Sequence, residues 1–284
     1  MLNRFSWSWP AFLNVSQPQT RWRQSWRGVW REALSGPGFD LDGHYAATVQ
    51  PLAEADVGES VEFSELSERS VIALVGLTFE ARIAAGPGVL VICRGGDASN
   101  LLKLALEAGC RSIISFGVAG GLAPDLVPGD CIVASAIMDY PATRPTDALW
   151  SHKLAEMIPG ARLGPIVGVN SVVAHPRDKH RLYALTGAVA VDMESHLVAR
   201  FAASHSLAFA AVRVIVDPAH RAVPPAALLA MSPGDSADLS SVVREVLARP
   251  SQLSLMMRLA ADALAARAAL IRLRRALGPS FSCD

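Results

Sequence analysis

Between residues 71 and 216 the chain alternates short unbroken apolar runs with stretches whose apolar residues recur every three or four positions. Residues 71–75, 89–93, 112–116, 130–137, 166–173, 188–191 and 209–216 read as strands, most of them buried on both faces. Between them, 100–108 places Leu101, Leu104, Ala105 and Ala108 on one side of a helix that Gly109 stops. Pro176 suits the first turn of a helix over 176–185, and a further helix is expected over 195–206. Strands separated by helices predict an α/β fold: a single-domain, mixed and largely parallel sheet flanked by helices on both faces. In such sheets ligands gather at the carboxyl ends of strands. Glu80, the run Gly117-Val118-Ala119-Gly120-Gly121, Glu194 and Asp217 all fall at such ends.

The pattern changes at both termini. Arg249-Pro250 separates an expected helix at 238–248 from a longer one at 252–277, whose Leu255, Leu259, Ala263, Ala266, Leu270, Leu273 and Leu277 form an apolar stripe. Arg267, Arg272, Arg274 and Arg275 load its later half, where cations suit a helix C-terminus. The stripe fits a helix packed on the core; the alternative is a surface that meets a membrane or covers an apolar substrate. Residues 1–70 hold five of the six tryptophans, and 21–34 would align Trp22, Trp26 and Trp30 on one helix face. That segment reads either as an interfacial anchor or as a non-essential extension. The expected organisation is a poorly ordered extension at 1–70, a catalytic domain at 71–250 and a C-terminal amphipathic helix at 251–284.

Composition narrows the function classes. Hydrophobic residues make up 51% of the 284 and charged ones 18%, enough for a sizeable core. A net charge of zero leaves no electrostatic footprint for nucleic acid. No apolar run is long enough to cross a bilayer, and residues 1–20 lack the continuous apolar stretch of a secretory signal. The four cysteines show no CxxC spacing, which suits buried thiols in a reducing cytoplasm. The seven histidines show no ligand spacing, so no metal and no cofactor are expected.

Three stretches carry candidate chemistry. Glycines in the 117–121 run let backbone pass close to a ligand, which nominates Val118, Ala119 and Gly120 for substrate binding. Asp217 ends an apolar strand, where burial would raise its pKa toward that of a general acid; the plainer reading is a turn cap before Pro218. In Asp192-Met193-Glu194, Met193 offers an apolar face and Glu194 a fixed carboxylate, or the acids simply cap the following helix. Arg82, Arg94 and Gly95 are candidates to hold phosphate through paired, charge-assisted hydrogen bonds.

In order and spacing these stretches resemble the purine nucleoside phosphorylase and nucleosidase superfamily, whose members break the bond between a base and its ribose. Within it, Gly76-Leu77-Thr78-Phe79-Glu80-Ala81-Arg82, Ser115 to Leu122 and the Arg249-Pro250 tail look like the hopanoid-associated phosphorylase group. The resemblance implies release of adenine from adenosylhopane, a small-molecule adenosyl substrate carried on a membrane lipid, with phosphate as acceptor. It makes Asp217 the purine acid, Glu194 the ribose binder and Glu80 the glutamate on the nucleophile side. Val172 and Val173 fall where relatives line the base pocket. It also implies a cytoplasmic homo-oligomer, with peripheral contact at the inner membrane face. A hydrolytic nucleosidase for methylthioadenosine or adenosylhomocysteine would use the same carboxylates, and a non-catalytic nucleoside-binding protein would keep the fold without the reaction. Val118 stands where many relatives carry a hydroxyl residue, and Pro218 where a small or aliphatic residue is usual, which leaves open what partners Asp217.

Overall fold

In the computed structural model, residues 70–93, 98–225, 227 and 252–283 are described. The tryptophan-rich stretch, Arg94, Gly95 and the expected helix at 238–248 lie outside them. All seven expected strands form, because runs of β-branched and other apolar residues hide both faces only inside a sheet. They are β1 (Val71–Val75), β2 (Val89–Cys93), β3 (Ser112–Gly121), β4 (Cys131–Asp139), β6 (Arg162–Gly168), β7 (Ala190–Asp192) and β8 (Ala208–Asp217). A short eighth strand, β5 (Ala142–Pro145), follows a tight turn from β4 and had no apolar run to announce it. The helices are α1 (Thr78–Ala84), α2 (Ala98–Glu107), α3 (Ala148–Met157), α4 (Pro176–Thr186), α5 (Ser195–His205) and α6 (Gln252–Ala276).

Two strand boundaries differ from expectation in ways that matter. Strand β3 does not stop at Phe116 but carries the glycine run inside it, since β8 pairs with it throughout and supplies the hydrogen bonds. Strand β6 ends at Gly168, so Val172 and Val173 lie in the connection to α4 rather than in a strand.

Strands β1 and β2 extend one edge in parallel, and five strands close on themselves: β3 pairs with β8, β8 with β4, β4 with β6, β6 with β7, and β7 with β3. The sheet is mixed and mainly parallel, with antiparallel pairing at β3–β7, β4–β5 and β4–β8. Its two faces bury separate cores. One packs Leu102 and Ala105 of α2 and Val198, Ala199 and Ala202 of α5 against odd-numbered residues of β3 and β8. The other packs Ala84 of α1, Trp150 and Leu154 of α3, Leu270 and Leu273 of α6, and Leu277 just past the end of α6.

Helix α6 divides at mid-length. Ala266, Leu270, Leu273 and Leu277 are buried, whereas Leu255, Met257 and Leu264 are exposed. Arg274 pins the packed half: Nε donates to Ala84 O at 2.9 Å, Nη1 to Gly278 O at 2.6 Å, and the guanidinium lies 4.4 Å from the Phe281 ring centroid. The guanidinium thus satisfies a carbonyl left over at the end of α1. Among the described residues no helix is long and apolar enough to cross a membrane.

Candidate active site

Glycines on β3 are where the side chains converge. In register, Gly117 lies beside Arg213, and Gly120 lies beside Asp217 on β8 and Val191 on β7. With neighbouring strands about 4.8 Å apart, Asp217 and the Asp192–Glu194 turn flank the same glycine run. A bulge at Val216, opposite the step from Ala119 to Gly120, brings Asp217 rather than Val216 level with Gly120. A Cβ on Gly120 would lie 3.2 Å from Asp217 Oδ1, and one on Gly76 2.9 Å from Glu194 Oε1. Gly117 is tighter still: φ is +156°, and a Cβ would sit 2.6 Å from Arg213 Nη1 and closer to Glu80 Oε1. Only glycine leaves room for these two buried side chains to meet over β3.

Glu80 occupies the first turn of α1 and reaches back over the helix start. Oε2 accepts from the Gly76 and Leu77 amides, each at 2.9 Å, while Oε1 accepts from Val118 N–H at 2.7 Å across to β3. The first pair caps α1, and the third locks the carboxylate onto the glycine run. Burial pushes its pKa up, against Arg213 and the amides, which pull it down.

Arg213, fully buried in the middle of β8, organises the rest. Its Nη2 lies 2.6 Å from Asp192 Oδ2 and 3.7 Å from Glu194 Oε2, and donates to Ser115 Oγ at 2.6 Å and Ser195 Oγ at 3.2 Å. Burial works against its charge, but Asp192, Glu194 and Glu80 outweigh it and leave the guanidinium more basic than usual. One guanidinium thus serves three acidic side chains at once. Asp192 also takes the capping role, accepting from the Ser195 amide and hydroxyl. Glu194 makes no capping bond; its carboxylate turns toward Gly76 and Arg213 instead.

Asp217 has a different partner, Lys179 of α4, whose ammonium contacts Oδ2. Burial raises the Asp217 pKa and Lys179 opposes the rise. A cavity of about 390 Å³ opens beside it, lined by Asp217, His220, Arg221 and, from α6, Leu255, Leu259 and Asp262. The segment carrying Val172 and Val173 borders the same strand ends: Val169 N–H donates to Asp192 O, and Val223 N–H to Ala174 O, both at 2.9 Å. Val173 is buried and Val172 half-buried; Met193 and Val118 are half-buried, and Ala119 is buried.

Glu80, Glu194, Asp217, Val118, Ala119 and Gly120 are therefore brought together, with Met193 beside them in the chain. Arg82 is not: it is exposed in the last turn of α1, and no contact ties it to the cluster. Arg94 and Gly95 lie outside the described residues. Two buried cations beside these acids, Arg213 and Lys179, were given no role by the sequence reading. Arg213 did leave a signal, a lone charge inside an unbroken apolar strand. Lys179 left none, because its helix also carries Arg177, Asp178, His180 and Arg181.

Several known proteins are similar to this chain. Nucleosidases for 5′-methylthioadenosine and S-adenosylhomocysteine from Mycobacterium bovis and Mycobacterium tuberculosis are each 26% identical over 157 residues, covering 40% of this chain. The match spans 62% of the length of these curated relatives. Among solved structures, the corresponding nucleosidase from Campylobacter jejuni aligns at 14% identity and TM-score 0.48, over 72% of this chain and 97% of its own. Futalosine hydrolase from Helicobacter pylori aligns at 20% identity and TM-score 0.48, over 63% and 98%. The model of the phosphorylase superfamily matches residues 95–249, more than half of the sequence and inclusive of β3, Glu194, Arg213 and Asp217. The chain belongs to the phosphorylase superfamily.

Proposed function

We propose that this protein is an enzyme that cleaves the N-glycosidic bond of an adenosyl compound and releases adenine. The observation that carries the reading is the placement of three acids from separate elements around one strand: Glu80 and Asp217 meet the glycine run of β3, and Glu194 faces Arg213, the register partner of Gly117. As the bond breaks, positive charge spreads over the ribose ring oxygen and anomeric carbon. The acidic side chains around Arg213 stabilise that charge, with Glu194 holding sugar hydroxyls. The base leaves as a neutral molecule once a ring nitrogen takes a proton from Asp217, whose raised pKa favours the protonated form. The curated relatives are named for two adenosyl compounds, which supports the same substrate class here.

Water is the acceptor that the described residues favour. Arg213 and Lys179 are both matched by carboxylates, so a phosphate dianion at the cluster would meet mainly negative charge. Arg213 Nη1 is buried with no hydrogen-bond partner in the described structure, and it faces Glu80 over Gly117. A water held between that donor and the Glu80 carboxylate would sit on the nucleophile side. Phosphate as acceptor rests on Arg94 and Gly95.

The resemblance to the hopanoid-associated group makes adenosylhopane the substrate of choice. Leu255, exposed on the first half of α6, lines the Asp217 cavity with Leu259 and offers apolar surface for a hydrocarbon tail. Adenine release from adenosylhopane and from 5′-methylthioadenosine, each with and without phosphate, tests all three points. Undiminished release without phosphate identifies water as acceptor. No release from either compound under any condition refutes the reading.

A further inference from the structure

Lys179 is fully buried on α4, and its ammonium reaches one small region only. Besides Asp217 Oδ2, it meets the carbonyl oxygens of Pro218 at 3.1 Å, Arg221 at 3.2 Å and Asp217 itself at 3.5 Å. A buried ammonium is retained only when paired and hydrogen-bonded, and here carboxylate and carbonyls do both. Every one of these acceptors lies on the end of β8 or the turn after it, so one side chain fixes both the acid and its loop.

The other charged groups facing Asp217 do not duplicate this contact. From α6 come Asp262 and Arg258, and from its own loop His220 and Arg221; Arg221 is already paired with Asp262. From β3 the neighbour in register is Gly120. Among the described residues, Lys179 is thus the cation in direct contact with the carboxyl.

We propose that Lys179 is a positioning residue for Asp217, orienting its carboxyl toward Gly120 and tuning how strongly it holds a proton. The proposal rests on the reading of Asp217 as the purine acid. In the reaction the glycosidic electron pair goes to the base, and the Asp217 proton goes to a ring nitrogen. The carboxylate so formed is stabilised by the ammonium, which keeps its own protons because three carbonyls bind them. Without Lys179, buried Asp217 would hold its proton too tightly to give it up.

Carbon-13 NMR on protein labelled at aspartate carboxyls tests this, with the Asp217 signal assigned by its loss in Asp217→Asn. The midpoint of its titration is expected to rise by about one to three pH units in Lys179→Met and to return close to wild type in Lys179→Arg. A midpoint unmoved in Lys179→Met overturns the proposal, since a purely structural lysine would change stability alone. Should Lys179→Met fail to fold, urea unfolding of Asp217→Asn with and without Lys179→Met decides. The double variant is expected to be the more stable, because the unpaired buried ammonium is gone; a less stable double variant overturns the coupling. Neither arm needs a substrate. A protein that released no adenine would refute the proposed function, whereas the titration reports separately whether Lys179 sets the proton affinity of the Asp217 carboxyl.

Discussion

Replacing Gly117 by alanine puts the proposed chemistry under direct stress. The added methyl would lie 2.6 Å from Arg213 Nη1 and closer to Glu80 Oε1, and both side chains are almost wholly buried. Neither can swing into solvent. Glu80 is tied to three amides, and Arg213 to Asp192, Ser115 and Ser195. Two costs combine: backbone strain of about 1–3 kcal/mol for an L residue at φ +156°, and overpacking of about 1–3 kcal/mol. Gly160→Ala serves as control, since Gly160 has φ +75° and nothing within 4 Å of its Cβ. It places an L residue at positive φ without the crowding. Urea unfolding followed by circular dichroism should find Gly117→Ala less stable than Gly160→Ala by about 1–3 kcal/mol. Adenine release should fall about a hundredfold in the first variant, as a displacement near 1 Å costs on that order, and stay near wild type in the second. Equal stability and equal turnover in the two variants would refute the geometry described around β3.

Asp217→Asn should lower adenine release by about a hundred- to ten-thousandfold with the circular dichroism spectrum unchanged. In the wild type, kcat/KM should fall as pH rises through the raised Asp217 pKa, because the acid form is then lost, and that limb should be missing in the variant's residual activity. Arg274→Met leaves Ala84 O and Gly278 O without their donor and should lower the Tm by several degrees, with faster proteolysis within α6. Burial pushes the Cys131 thiol up to about 12, so native protein at pH 8 should leave Cys131 unmodified by iodoacetamide in mass spectra, whereas urea-unfolded protein should not.

Much of this molecule is legible along the chain because hydrophobic burial is local in its demands. A run such as Val71–Val75 has to be covered on both sides wherever it goes, so every buried strand announces itself, and so does Pro176 at the start of α4. The acids at strand ends follow from the same logic, since α/β connectivity carries their positions to one edge of the sheet. Strand β5 and helix α3 lacked such marks: β5 is four residues long and no more than half buried, and α3 buries only Trp150, Ser151 and Leu154.

The sequence by itself determined the fold class, the placing of the acids at strand ends and the glycine run that makes space for them. Tertiary structure alone decided that the sheet closes through β8, that Gly117 is the meeting point of Glu80 and Arg213, and that Lys179 is the partner of Asp217. The physical reason is one of range. Apolar burial leaves a periodic trace in neighbouring residues, whereas charge pairing joins side chains 38 positions apart, as in Lys179 and Asp217, and leaves no trace until the chain has folded.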